Sequence, residues 1–275
     1  MKPRSAGAPG KAPSVKDKRC PLHLDPVNPF RLNSPLPAAV LWDMDGTIVD
    51  SEPYWMRAET ELVESFGGVW THSDCMLLVG SGLLNSASIL QDRGVRLDAE
   101  AIVDRLTTRV QGLLGEFGAP WRPGALELMT EVKAAGIPMA LVTMSEHRMA
   151  QQVSDQVGFA AFDAIVAGDM VVQSKPHPEA YLSAARLLGV APADCVAVED
   201  SLPGIAAAVA SGAVVIAVPH MVEIEASARY ELWPTLHGRT LAGVHTVFAE
   251  RRADAAEVPA RPGSGPHPIE DDTHA

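Results

Sequence analysis

The chain has 275 residues and a formal net charge of -12 at pH 7. This length suits one large domain, or a core domain with a smaller insert. Hydrophobic residues make up 47% of the chain and charged residues 20%, so most of it is expected to bury a core. The acidic balance argues against binding to a nucleic-acid backbone, and the aromatic content of 5% disfavours a stacking surface for single strands.

The cysteines and the two ends of the chain suggest where the protein resides. Cys20, Cys75 and Cys195 are far apart and form neither a disulfide framework nor a CxxC metal knuckle. A reducing cytosol, and therefore a cytoplasmic location, is expected. Residues 1–35 and 251–275 are polar, proline-rich and aperiodic, which predicts disordered tails. The basic start of the chain lacks the apolar stretch of a secretory signal; a transit peptide is the alternative interpretation.

Residues 201–222 contain no Asp, Glu, Lys or Arg, so a hydropathy window could take them for a membrane span. Their alanine content, the Ser-Gly pair at 211–212 and Pro219 indicate instead a short buried helix, a turn and a buried strand. No membrane association is therefore expected.

Short apolar runs alternate with helical patterns along most of the chain. The predicted strands are residues 38–42, 138–142, 164–167, 195–198 and 214–218. Two of the helical patterns that separate them end before a glycine, at 136 and at 189, as helices commonly do. Strands that alternate with helices indicate an α/β fold with a parallel sheet covered on both faces.

The first connection breaks this rhythm, because about ninety residues separate the first two predicted strands, far more than a usual crossover needs. Helical spacing of Trp55, Ala58, Leu62 and Phe66 predicts that most of this segment is helical. A helical insert after the first strand lies above the carboxyl edge of the sheet, where open α/β sheets bind ligands. Residues 52–119 are therefore predicted to form a cap over an active site, on a core domain of residues 36–51 and 120–250.

Polar and charged residues follow three of the predicted strands, and a lysine lies between the last two of them. Each has an ordinary explanation by itself: an acidic pair suits a turn, a calcium-type loop or a helix N-cap, a hydroxyl suits an N-cap, and a lysine is usually a surface charge. The combination is much more specific than any member. Its members are Asp43, Asp45, Thr143, Lys175, Glu199 and Asp200.

The motifs DMDGTIVDSE, LVTMS, SKPHPEAY and VAVEDSLPGI occur in this order within residues 37–220. With them the chain resembles the haloacid dehalogenase (HAD) superfamily of hydrolases, in the beta-phosphoglucomutase-like branch with a helical C1 cap after the first strand. The resemblance implies a Rossmann-like parallel sheet, Mg²⁺ as cofactor and phosphoryl transfer as the chemistry. Dehalogenase members lack the second aspartate, which this chain has as Asp45.

The resemblance also implies roles for individual residues. Asp43 would be the nucleophile that forms an aspartyl-phosphate, and Asp45 the general acid and then the general base. Thr143, Met144 and Lys175 would hold the phosphoryl oxygens. The Mg²⁺ ligands would be Asp43, Asp45 through its backbone carbonyl, Asp200, and Glu199 either directly or as a partner of a ligand.

The insert is expected to choose the substrate, with Thr47, Gly80, Ser81 and Asn85 as candidate contacts. The beta-phosphoglucomutase relatives carry a histidine in the first cap helix and an arginine in the substrate loop. The corresponding stretches here, EPYWMRAE and VGSGLLNS, have neither at the expected place. This disfavours a mutase and favours a monophosphate substrate.

The leading hypothesis is a Mg²⁺-dependent phosphatase for a small phosphorylated metabolite, a sugar or nucleotide-like monophosphate. A phosphomutase of the beta-phosphoglucomutase type is the alternative, and a catalytically silent binding protein with the HAD fold is the third. The expected partner is the metabolite, without nucleic acid or membrane, and the expected state is a monomer or weak dimer.

Overall fold

The computed structural model describes residues 35–257, with side chains as far as residue 252. Within this range six strands form one parallel sheet in the order β3-β2-β1-β4-β5-β6. The α/β fold with a parallel sheet is thus confirmed, and five strands lie where the apolar runs predict them. The strands are β1 Ala39–Trp42, β2 Met139–Val142, β3 Ala164–Val166, β4 Cys195–Glu199, β5 Val214–Ala217 and β6 Glu231–Leu232.

The register of the central strands brings their carboxyl ends together. β1 lies between β2 and β4, and Trp42 at its end pairs with Leu141 on one side and Val198 on the other. All three strands are buried throughout, which explains their unbroken apolar sequences. The residues that follow them therefore emerge side by side at one edge of the sheet.

Helices within the described range occupy both the insert and the crossovers. The insert between β1 and β2 contains α1 Glu52–Ser65, α2 His72–Cys75, α3 Leu83–Asp92 and α4 Ala99–Phe117. Helix α4 contacts α1 and α3, and their shared core includes Trp55, Leu62, Leu90 and Leu106. The other helices are α5 Ala125–Ala134, α6 His147–Asp155, α7 Glu179–Leu188, α8 Leu202–Ser211 and α9 Leu241–Glu257.

Two short linkers connect the insert to the sheet, and they pair with each other. Asp50 N–H donates to the carbonyl of Pro120 at 2.8 Å, and Arg122 N–H donates to the carbonyl of Ile48 at 2.9 Å. Val49 also forms a bridge with Trp121. The insert is therefore anchored directly beside the end of β1.

The apolar segment at 201–222 forms helix α8, a turn at Gly212 and strand β5, as predicted. Within residues 35–257, no helix combines the length and the apolar character that crossing a bilayer requires. The predicted tails fall almost entirely outside the described residues. The second tail was predicted to begin at residue 251, but α9 continues to Glu257. Residues 251–257, RRADAAE, are polar but mostly good helix formers, and Arg251 donates to Glu231 at 2.9 Å.

Candidate active site

A buried lysine joins the ends of three neighbouring strands. Lys175 Nζ lies 2.7 Å from Asp43 Oδ1, 2.6 Å from Glu199 Oε1 and 3.0 Å from the carbonyl oxygen of Val142. Asp43 follows β1, Val142 ends β2 and Glu199 ends β4. Because an ammonium group has three protons, these contacts use all of its donors and fix its position.

Both carboxylate oxygens of Glu199 are occupied by donors. Oε1 accepts from Lys175 and from the hydroxyl of Tyr181 at 2.7 Å, and Oε2 accepts from the backbone N–H of Asp200 at 3.1 Å and from Ser201. Helix α8 passes so close that a Cβ atom on Gly204 would lie 1.9 Å from Glu199 Oε1. In this environment Glu199 holds Lys175 in place; its part in metal binding, directly or as a partner of a ligand, stays a prediction.

Three carboxylates at this edge offer oxygens that lie within 4.8 Å of one another: those of Asp43, Glu199 and Asp200. Asp200 also accepts a hydrogen bond from Thr47 Oγ1 at 3.2 Å. Gly46 has φ +82° and leaves no room for a side chain, since a Cβ atom would lie 2.0 Å from Asp200 Oδ2. A compact set of carboxylate oxygens is the ligand type that hard divalent cations prefer.

The ionisation of this cluster indicates an excess of negative charge. Burial, together with the carboxylate of Glu199, raises the pKa of Asp43 to about 7. Burial and the carboxylate of Asp43 hold the pKa of Asp200 well above its usual range. Burial by itself would lower the pKa of Lys175, but Asp43 and Glu199 raise it overall. One ammonium therefore balances three acidic groups incompletely, and the residues fit a divalent cation that would offset the remainder.

The side chain of Asp45 lies in a separate ring of donors. Its Oδ1 accepts from Ser51 Oγ and from the indole Nε1 of Trp55 at 3.3 Å. Its Oδ2 accepts from Thr143 Oγ1 at 3.2 Å and from Ser145 Oγ at 2.6 Å. Trp55 belongs to the insert and Ser145 to the core, so Asp45 is positioned by both parts of the chain.

The predicted phosphate-binding residues lie beside these carboxylates. Thr143 follows β2 and accepts from the backbone N–H of Ser145 at 3.0 Å. The sulfur of Met144 accepts from the backbone N–H of Lys175 at 3.4 Å. Thr143, Met144 and Lys175 all line one cavity of about 230 Å³.

The cavity lies between the carboxyl edge of the sheet and the helical insert. Its core side includes Asp43, Asp45, Ser145 and Asp200 as well. Its insert side is formed by Glu52, Trp55, Glu59, Leu78, Val79, Gly80, Ser81, Gly82, Leu83, Ser86 and Leu106. The structure thus places the insert over the predicted site residues.

The four candidate substrate contacts separate into two groups. Gly80 and Ser81 line the cavity. Among the described residues, Thr47 and Asn85 are not part of its lining: Thr47 is fully buried beneath Asp200, and Asn85 is exposed and donates to Ser81 Oγ at 2.8 Å. All four roles stay predictions.

Several cavity and cluster residues were missed in the sequence. Tyr181 carried no signal, because Glu199, which accepts from its hydroxyl, lies on β4 and is remote in the chain. Ser145 carried a signal, since it is a second hydroxyl two residues after Thr143. Glu52 and Glu59 also carried a signal in the sequence, because they share a helical face with Trp55 at spacings of three and four residues.

A parallel sheet with a charged cluster at its carboxyl edge, under a helical insert, defines an α/β enzyme that binds its ligand at this edge. Its family follows from residues 37–212, which match the haloacid dehalogenase-like hydrolases. The chain belongs to this family. Its predicted branch is supported by a solved structure of a putative beta-phosphoglucomutase from Thermotoga maritima, which is 27% identical with a TM-score of 0.57, over 77% of this chain and 98% of that one.

Relatives of known identity resemble the chain over about two thirds to three quarters of its length. Hexitol phosphatase B of Escherichia coli (strain K12) is 30% identical over 198 residues, which are 66% of this chain and 83% of that protein. Protein SUPPRESSOR OF QUENCHING 1, chloroplastic, of Arabidopsis thaliana is 34% identical over 191 residues. These residues are 66% of this chain but only 18% of that protein. A crystallised mutant of CbbY from Rhodobacter sphaeroides, in complex with xylulose-(1,5)bisphosphate, is 31% identical with a TM-score of 0.70, over 76% of this chain and 99% of that one.

Proposed function

We propose that the protein is a Mg²⁺-dependent phosphatase that hydrolyses a small phosphorylated metabolite through an aspartyl-phosphate. The observation that carries this proposal is the convergence of Asp43, Lys175, Glu199 and Asp200 at one edge of the sheet. The family supports it, and so does the activity named for hexitol phosphatase B.

In the proposed reaction an oxygen of Asp43 attacks the phosphorus atom and the bond from phosphorus to the leaving oxygen breaks. Lys175 holds Oδ1 of Asp43, which favours the ionised carboxylate against the effect of burial and leaves Oδ2 for the attack. Asp45 gives a proton to the leaving oxygen. It then takes a proton from the water that attacks the aspartyl-phosphate, which releases inorganic phosphate and restores Asp43.

The groups that face the phosphoryl group come from the loop after β2 and from Lys175, which offers its positive charge while its protons are held by Asp43, Glu199 and Val142. Thr143 and Met144 line the cavity beside Asp43, where hydroxyl and backbone donors can hold phosphoryl oxygens. Asp43, Asp200 and the backbone carbonyl of Asp45 would hold Mg²⁺, with Glu199 acting through Lys175. When bound, the ion would neutralise charge on the phosphoryl group and on the carboxylates.

The size of the cavity bears on the substrate. Its volume of about 230 Å³ is below the ~300–1,000 Å³ typical of sites for drug-sized ligands. This favours a sugar-like monophosphate over a nucleotide. A phosphomutase would also have to accommodate a second phosphate in the same space. A catalytically silent protein is disfavoured, because Asp43, Asp45 and Lys175 are all present and held by hydrogen bonds.

We also propose a cytoplasmic location and a monomer or weak dimer. The described cysteines, Cys75 and Cys195, are buried and free, which suits a reducing compartment. Light scattering coupled to size-exclusion chromatography would reveal any larger assembly.

The nucleophile is tested by Asp43→Asn. The amide cannot form the aspartyl-phosphate, so hydrolysis of p-nitrophenyl phosphate with Mg²⁺ should fall by about a thousandfold or more. Asp92→Asn, at an exposed position in α3, is the matched control and should keep full activity. Undiminished turnover by Asp43→Asn would exclude Asp43 as the nucleophile.

A further inference from the structure

The proposed mechanism leaves one wall of the cavity without a role. This wall comes from the insert, and its polar members are Glu52, Glu59, Ser81 and Ser86; we call these four residues the insert wall. Glu52 and Glu59 lie two turns apart on one face of α1, about 10 Å along the helix axis. A leaving group attached to the phosphoryl group would have to contact this wall.

The insert wall carries no positive charge. Lys175 is the only lysine or arginine among the described residues that line the cavity, and it is paired with Asp43 and Glu199. The arginines of the insert contact other groups: Arg57 and Arg109 pair with Glu61, Arg93 pairs with Asp74, and Arg96 and Arg105 lie over Phe66. A second phosphate would therefore enter without a counter-charge.

The two carboxyl groups of the insert wall are suited to hydroxyls. Glu59 is 6% exposed and accepts from Trp70 Nε1 at 3.4 Å. Burial raises its pKa to about 7, and burial with the charge of Asp45 raises the pKa of Glu52 to about 8. Near neutral pH these groups are both donors and acceptors, as sugar hydroxyls are, whereas a second phosphate would find no counter-charge on this wall.

We propose that Glu59, together with Glu52 and Ser86, is a specificity-determining site that accepts a hydroxyl-rich leaving group and rejects a second phosphate. This inference rests on the proposed phosphatase function and deepens it. Two of the named relatives point in different directions, since one is a hexitol phosphatase and the other was crystallised with a bisphosphate. The insert wall of this chain selects the first kind of substrate, and it disfavours a mutase, whose intermediate is a bisphosphate.

The wild-type protein provides the first test, which requires no substitution. With Mg²⁺ present, kcat/KM is measured for sorbitol 6-phosphate, fructose 1-phosphate and fructose 1,6-bisphosphate. At least one monophosphate should exceed the bisphosphate by about a hundredfold. Values for the bisphosphate within threefold of the better monophosphate would overturn the inference.

The second test uses the substitutions Glu59→Gln, Glu52→Gln and Ser86→Ala. The readout is the ratio of kcat/KM for the better monophosphate to kcat/KM for p-nitrophenyl phosphate, whose leaving group has no sugar hydroxyls. Each substitution should lower this ratio about tenfold, mainly through KM. Glu64→Gln, on the exposed face of α1, is the matched control and should leave the ratio unchanged. An unchanged ratio in all three variants would contradict the assignment.

The two levels of the proposal fail in different ways. If the wild type does not hydrolyse p-nitrophenyl phosphate with Mg²⁺, the phosphatase function is wrong and the specificity site is wrong with it. If it hydrolyses that compound but treats mono- and bisphosphates alike, the specificity site alone is wrong. Thermal unfolding of each variant shows whether it folds, and Glu52→Gln, at a partly exposed position, provides the readout if Glu59→Gln does not fold.

Discussion

Two glycines show how single residues shape the acidic cluster, because each lies where a side chain would displace a carboxylate. Gly46 faces Asp200, and its φ of +82° is a conformation that glycine adopts readily. Gly204 lies inside helix α8 and faces Glu199. Both positions are therefore constrained by the carboxylate beside them. At Gly46 a substitution would also strain the backbone, whereas at Gly204, inside a helix, only the contact with Glu199 opposes a side chain.

Gly204→Ala is expected to lower kcat/KM for p-nitrophenyl phosphate by tenfold or more. The new Cβ atom would lie 1.9 Å from Glu199 Oε1, so Glu199 must move and Lys175 loses its fixed position. Thermal unfolding should also show a lower Tm. Gly112→Ala in α4 is the control: its nearest contact is 3.9 Å away, and alanine favours a helix by about 1 kcal/mol, so its Tm should stay the same or rise. Equal kcat/KM and equal Tm in the two variants would contradict the role of Gly204 in positioning Glu199.

At the level of elements, the paired linkers connect the insert to the site. Arg122, in the returning linker, donates through Nη1 to the carbonyl of Gly46 and through Nη2 to the carbonyl of Pro219 at 3.2 Å. It thus joins the loop after β1 to the loop after β5. Since Gly46 packs against Asp200, Arg122 is in a position to set the geometry of the acidic cluster without touching the substrate.

Arg122→Lys should raise the Mg²⁺ concentration needed for half-maximal activity several-fold and lower Tm by about 2–4 °C, because an ammonium group cannot fork between both carbonyls. The measurement is activity against Mg²⁺ concentration, with thermal unfolding alongside. Arg57→Lys, at an exposed position in α1, is the control. A lower Tm with an unchanged Mg²⁺ requirement would mean that Arg122 acts on stability alone.

Considered as a whole, the molecule buries more acidic than basic groups around its cavity. The pKa values of Asp43, Glu52 and Glu59 are raised to about 7, 8 and 7, with burial as the largest cause in each case. A carboxyl with a raised pKa keeps a proton in the folded state that the unfolded chain has already released. Folding stability therefore decreases as pH rises from about 4.5 towards 8.

Without metal, the Tm of the wild type should fall by at least about 3 °C between pH 5 and pH 8. Glu59→Gln should reduce this slope, since it removes one of the carboxyl groups with a raised pKa, whereas Glu64→Gln should retain it. Thermal unfolding in the presence of a chelator measures both. A Tm that is constant or rises over this range would show that the buried carboxyl groups do not carry the raised pKa values.

Much of the site was predictable because it depends on strand ends. Asp43, Thr143 and Glu199 each follow a run of buried apolar residues, and parallel strands present such positions at one edge. The charges of the insert wall were harder to predict. Glu59 shares a helical face with Trp55, but the burial of its charge depends on Trp70 and on the other helices of the insert.

Local pattern determined five of the strands and several of the helices, because each depends on neighbours in the chain, and the family motifs indicated the candidate catalytic residues. Tertiary structure decided the two-residue strand β6, which exists through its pairing with β5, and the length of α9, which Arg251 ties to Glu231. It also decided which oxygen of each carboxylate has a donor, and which insert residues face the cavity. Those features depend on distances between segments remote in sequence, and these are set by sheet register and helix packing.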